Sequence, residues 1–197
     1  PHLKKDNENQ INFSKFNDTF PLSKNNPLIL IVDQNFKTHG TWNSKEERLY
    51  YDLLFKICKK VPEVNFFIKY KKRFPIPRCI KNNNNLPNNF YFTEDYLTEL
   101  ISVSDIVLSV HSTVLIEALD VGKRIGCFDW FNFSNPFITS EVAFSINTFN
   151  LDDIVSIIRR ELKIKDTVVS ETKLTSFKEK IGGDSSLDFF SEITRIV

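Results

Sequence analysis

Apolar residues in this chain fall in short, unbroken runs, and the stretches between them carry helical spacing. Leu28-Ile29-Leu30-Ile31-Val32 has no polar interruption, as expected of a strand covered on both faces. A loop from Asp33 to Asn43 follows. Ser44 then reads as the cap of a helix to about Lys60, with Leu49, Leu53, Leu54, Ile57, Cys58 and Val61 on one face. Val64 to Tyr70 reads as a second strand. Phe74 to Asn89 holds three prolines and a run of asparagines and reads as a long loop. Phe90-Tyr91-Phe92 is a short strand and Glu94 to Val103 a short helix. Ile106 to Val110 is another apolar strand. Ser112 or Thr113, both good N-cap residues, opens a helix that stops at Gly122. Arg124 to Phe128 is the next strand, and Asp129 to Glu141 an aromatic-rich loop around Pro136. Val142 to Ile146 reads as a last strand. Leu151 to Leu162 reads as a helix with Ile154, Val155, Ile157 and Ile158 turned inward. The tail carries one or two more helices, the last from about Ser185 to Ile196.

Strands that alternate with helices predict a parallel sheet with right-handed crossovers. The expected fold is α/β: a Rossmann-like three-layer domain of about six parallel strands over residues 27–197. Residues 1–26 are polar and without periodicity, and read as a linker or tail. No internal repeat is visible. In such sheets ligands bind outside the carboxyl ends of the strands.

Composition narrows the function. The 197 residues, 41% of them hydrophobic, suffice for one domain with a real core. A net charge of +1 implies no general attraction to nucleic acid. No apolar run reaches the roughly 18 residues of a membrane span, and no signal peptide is visible. The three cysteines, Cys58, Cys79 and Cys127, fit no metal spacing and suggest a reduced, cytoplasmic setting. Cys58 and Cys127 fall where packing residues belong. Because the sequence opens on Pro1 rather than Met, a piece of something longer is expected.

Candidate chemistry gathers at the expected carboxyl edge. The first loop offers Asp33, Gln34, Lys37, Thr38, His39, Gly40 and Thr41, followed by Trp42. The second strand ends in Lys69, Lys71, Lys72 and Arg73. His111, Ser112 and Thr113 stand where a strand gives way to a helix, a place suited to an anion such as phosphate. Glu117 follows one helical turn on. Each has a plainer alternative. His111 could satisfy a buried carbonyl, Ser112 or Thr113 could simply cap, and Glu117 could be exposed rather than facing ribose hydroxyls. The basic cluster could be a solvated strand end, and Trp42 a packing residue rather than a base stacker. The loop Lys37-Thr38-His39-Gly40-Thr41 is not a P-loop. With five glycines and no Gly-x-Gly-x-x-Gly run, an ordinary NAD site is not expected. No zinc helix or nucleophile elbow appears, and no metal or cofactor is expected.

The segment SDIVLSVHSTVLIEALDVGKRIGCFD, Ser104 to Asp129, resembles the nucleotide-sugar-binding half of GT-B glycosyltransferases. It looks most like bacterial enzymes of capsule and lipopolysaccharide synthesis, the Kdo-transferase and polysialyltransferase-like groups. A weaker likeness extends over Pro27 to Asp129. There Tyr70-Lys71-Lys72-Arg73 stands where relatives often carry a Lys-Pro-His-Pro-like motif, so a donor contact by that histidine does not carry over. The resemblance implies that Ser112 and Thr113 hold a donor phosphate, with His111 beside it. It implies that Glu117 holds ribose or sugar hydroxyls; Lys69 could still face a phosphate, and His39 and Gly40 complete the candidate site. Such enzymes have two Rossmann-like domains. This chain has room for one, a carboxyl-terminal donor domain. The expected partners are a nucleotide-sugar donor, a glycan acceptor and an N-terminal acceptor domain or partner subunit, with peripheral association at the inner face of the membrane left open. A nucleotide-sugar epimerase of related fold and a non-catalytic glycan- or protein-binding module are the alternatives.

Overall fold

A computed structural model describes residues 20, 26–72, 74–81, 85–131, 142–164, 173 and 175–177. Six strands form one sheet: β1 Leu28–Val32, β2 Asn65–Lys69, β3 Phe90–Thr93, β4 Ile106–Ser109, β5 Arg124–Phe128 and β6 Ala143–Ile146. Their order is β3-β2-β1-β4-β5-β6, and every neighbouring pair is parallel. The helices are α1 Ser44–Lys60, α2 Arg78–Lys81, α3 Leu97–Val103, α4 Val114–Asp120 and α5 Leu151–Lys163.

The apolar runs lack alternation because both sheet faces are covered. Ile29 and Ile31 of β1 join the core beneath α1 and α5, whereas Leu28, Leu30 and Val32 join the one beneath α3 and α4. Strand β4 divides likewise, with Ile106 and Leu108 on the first side and Val107 on the second. The chain winds outward from β1 through β2 to β3, then returns across the sheet to place β4 on the other flank of β1. The direction of winding therefore reverses between β1 and β4, where an open α/β sheet leaves a crevice at its carboxyl ends.

Several local expectations are corrected. The cap of α1 is Asn43, not Ser44. Its Oδ1 accepts from the N–H groups of Lys45 (2.8 Å) and Glu46 (3.1 Å), and Glu46 Oε2 accepts from the Asn43 N–H at 2.8 Å. Either residue has a glutamate three positions on, but Glu47 is turned to Lys37 instead (3.2 Å). The loop after β2 contains the one-turn helix α2. Helix α3 starts at Leu97 rather than Glu94, because Thr93 Oγ1 takes the Asp95 N–H (3.1 Å) and Tyr96 is left-handed (φ 63°). Thr113 has helical dihedrals and no side-chain cap, so α4 begins at Val114, whose N–H donates to Ser112 Oγ at 3.2 Å. Gly122 ends that turn as expected, at φ 74°.

Ile154, Val155 and Ile158 of α5 are buried and Ile157 is partly so. Cys58 and Cys127 are buried in the core, and burial pushes the Cys58 thiol well above its usual range. Within the stretch read as a tail, Phe20 packs edge-on against Phe67 at 5.0 Å. The loop beyond Phe131 and the terminal helix expected at 185–196 lie outside the described residues.

Candidate functional site

Polar burial marks one edge of the sheet. Seven of the ten buried polar residues among those described follow or end strands on the carboxyl side: Asp33, Gln34, Asn35, Thr93, Ser109, His111 and Ser112. Burying polar groups is costly unless they are bonded, so this clustering needs a local cause. Ser109 Oγ donates to the Val32 carbonyl at 2.8 Å and ties β4 to β1 where the sheet divides. Asp33 and Val110 then leave the paired strands side by side, since Val32 pairs with Ser109.

Asp33 anchors the β1 side. Its backbone N–H donates to the Lys69 carbonyl at 3.0 Å, its Oδ1 accepts from the Asn35 N–H at 2.6 Å, and its Oδ2 accepts from the Tyr51 hydroxyl of α1. Burial pushes the carboxyl up to about 6; the bonds from Tyr51 and Asn35 oppose that rise, and the Glu47 carboxylate adds to it. Burial likewise holds the Tyr50 and Tyr51 phenols well above their usual range. Asn35 is left-handed (φ 51°), a conformation that asparagine tolerates better than most residues.

On the β4 side, His111 is buried, and loss of solvation lowers its pKa, which favours the neutral imidazole. Ser112 is buried, Thr113 half-buried and Glu117 exposed on the outer turn of α4. The backbone N–H groups of Ser112 and Thr113 have no partner among the described residues.

Candidates from the first two loops are dispersed. Lys69 pairs in register with Val32 on the far side of β1 from β4, so about 10 Å, two strand spacings, separates their ends. Its Nζ donates to the Tyr70 carbonyl at 2.8 Å, and partial burial lowers its pKa against the pull of Asp95 and Glu94. His39 turns edge-on to Phe74 beyond β2, with ring centres 4.8 Å apart. Gly40 is exposed at φ 74°, in the turn that its N–H closes on the Lys37 carbonyl. Trp42 is a packing residue, buried against Phe36, Tyr50 and Phe131. Thus His111, Ser112 and Thr113 follow β4 and Asp33 and Asn35 follow its neighbour β1, while Lys69 and His39 stand on the β2 side. Tyr51 was not legible as a site residue. A tyrosine on an otherwise apolar helix face, opposite a strand ending in Asp-Gln-Asn, is the signal that points to it. Among the described residues no group of three or more His, Cys, Asp or Glu is placed to hold a metal ion.

No protein-family model matches the sequence, and no curated protein does. Solved structures do match in fold. The glycotransferase of kitacinnamycin superposes with a TM-score of 0.57 at 11% identity, over 100% of this chain and 48% of that one. The UDP-GlcNAc 2-epimerase from Neisseria meningitidis, solved bound to UDP-GlcNAc, gives 0.53 at 17% identity, over 79% of this chain and 44% of that one. WaaG, a glycosyltransferase involved in lipopolysaccharide biosynthesis, gives 0.51 at 13% identity, over 84% and 45%. The chain has the Rossmann-like fold of GT-B glycosyltransferase domains. It spans about half, or less, of the solved chains it matches.

Proposed function

We propose that this chain is the nucleotide-sugar-binding domain of a GT-B glycosyltransferase that builds bacterial capsule or lipopolysaccharide. The observation that carries the reading is the turn after β4, where buried Ser112 and the backbone N–H groups of Ser112 and Thr113 stand at the winding reversal between β1 and β4. Those groups would donate hydrogen bonds to the phosphate of the sugar donor, and charge that develops on it as the glycosidic bond breaks would be stabilised by fixed N–H groups without reorganisation. His111, whose pKa burial lowers, would stand beside the same phosphate. Glu117 would meet ribose or sugar hydroxyls, and Lys69, His39 and Gly40 would form the outer wall on the β2 side. The glycan acceptor and the rest of the active site would come from an N-terminal domain or partner subunit. The likeness to an epimerase supports a second reading, in which the product is a free epimerised sugar and no acceptor is needed.

A thermal-shift panel of CMP, UDP, GDP and CDP tests the site, because a ligand that prefers the folded state raises Tm. Replacing Ser112→Ala with Thr113→Ala is expected to weaken the best nucleotide by about 1–3 kcal/mol in calorimetry. Unchanged affinity, or no nucleotide binding at all, refutes the assignment. Product analysis with the matching nucleotide-sugar then separates transfer from epimerisation.

A further inference from the structure

The outward face of α1 is a stripe of cations. Lys45, Arg48, Lys56, Lys59 and Lys60 are exposed and fall on one side of the helix, with exposed Leu49 and Asp52 between them. The stripe runs the 17 residues of α1, about 25 Å. Asp52 pairs with Arg48 at 3.6 Å, and Lys60 reaches Asp152 of α5 at 3.6 Å. Lys45, Lys56 and Lys59 have no ion-pair partner among the described residues. Lys45 and Arg48 stand three residues apart and Lys56 and Lys60 four, and like charges at those spacings destabilise a helix.

Helix α2 packs against α1 and adds exposed Arg78 and Lys81. Two large apolar side chains are left in solvent here: Leu49 is 46% exposed, and Ile76, just before α2, is 37% exposed. The opposite face of the sheet carries the other sign. From Glu94 to Lys123, the segment that holds α3 and α4, six carboxylates stand against one cation. The net charge of +1 therefore hides a separation of charge across the sheet. Cations held apart from their own carboxylates, with exposed leucine and isoleucine among them, fit a planar anionic surface with an apolar layer beneath it. A nucleic acid would use the cations but leave Leu49 and Ile76 in water. An anionic bilayer uses both.

We propose that the outer face of α1, with α2 beside it, seats the protein on an anionic lipid bilayer, Leu49 and Ile76 entering the headgroup layer. Helix α1 returns along the sheet from the end of β1 to the start of β2, so the bilayer lies parallel to the sheet. The carboxyl edge then opens sideways, and the acidic face points away from the lipid. This surface does not depend on the nucleotide reading. Flotation of the full chain with vesicles tests it, comparing phosphatidylcholine containing a quarter phosphatidylglycerol with phosphatidylcholine alone. Binding is expected to the anionic vesicles only, and to weaken at least about tenfold between ionic strengths of about 0.05 and 0.5 M. Lys45→Gln, Lys56→Gln and Lys59→Gln together are expected to weaken it by more than about tenfold, with Tm at or above that of the wild type. Leu49→Ser, at an exposed position, is expected to weaken it several-fold with Tm unchanged. No flotation with the anionic vesicles, equal flotation with the neutral ones, undiminished binding in either variant, or equally tight capture of a single-stranded oligonucleotide at the same salt overturns the proposal. Vesicle binding without any nucleotide response upholds this surface and removes the nucleotide reading alone.

Discussion

Replacing Asp33 with asparagine is expected to stabilise the protein at about pH 8 and to leave it nearly unchanged at about pH 3. Both carboxyl oxygens are committed, one to the Asn35 N–H and the other to the Tyr51 hydroxyl, yet burial raises the group from 3.8 to about 6. The folded state therefore holds the proton more tightly than the unfolded chain does. Stability from this residue is fully present below the unfolded value near 4 and is lost as pH rises through about 6. A rise of about two pH units corresponds to about 3 kcal/mol of strain on the fold at neutral pH. Asparagine reproduces the protonated acid: its oxygen keeps the Asn35 N–H, and its amide donates to the Tyr51 oxygen once that hydroxyl rotates. Urea denaturation of both proteins across that pH range, followed by tryptophan fluorescence, reads the difference directly. The gap between variant and wild type should open from about pH 4, level off above about pH 6 and approach 1–3 kcal/mol. Tyr51→Phe removes a bond that lowers the Asp33 pKa and should extend the loss of stability to higher pH. Parallel pH profiles for wild type and Asp33→Asn refute the reasoning, because the cost would then not come from the buried charge.

Other perturbations probe how the frame is held. Asn89 Nδ2 donates to the carbonyls of Cys58, Val61 and Val64 at 2.8–3.0 Å and closes the turn from α1 into β2; Asn89→Ala should cost about 2 kcal/mol in urea denaturation. A Cβ on Gly126 would lie 2.5 Å from the Phe144 ring across β5 and β6, so Gly126→Ala should cost about 1–2 kcal/mol, and adding Phe144→Leu should recover most of it. At the opposite edge of the sheet, buried Glu161 accepts from Arg124 and Arg160. Glu161→Ala leaves Arg124 without its partner and should cost about 3 kcal/mol, whereas nucleotide affinity, if the Ser112 crevice is the site, should not move.

The order of strands and helices was legible because each apolar run is long enough for one buried strand and no more. Leu28–Val32 and Ile106–Val110 carry no alternation, and the structure covers both their faces. The caps were less legible. Asn43 and Ser44 satisfy the same local rule, and only the turn of Glu47 toward Lys37 decides between them. Helix α3 lost its first turn to the competing Thr93 side-chain bond, a choice that no spacing encodes.

Sequence alone determined the α/β architecture, the strand-to-helix turn at His111-Ser112-Thr113 and the glycine that ends the helix beyond it, because these follow from hydrophobic runs and local backbone preferences. Only the tertiary structure decided which loops meet. The placement of β4 beside β1 makes the loops that carry Asp33 and Ser112 leave neighbouring strands, and leaves Lys69 and His39 across β1 on the β2 side. Burial, which pushes Asp33 upward and strands the donors of Asn35 and Trp42, depends on helices and loops packed from distant parts of the chain, and no residue carries that information by itself.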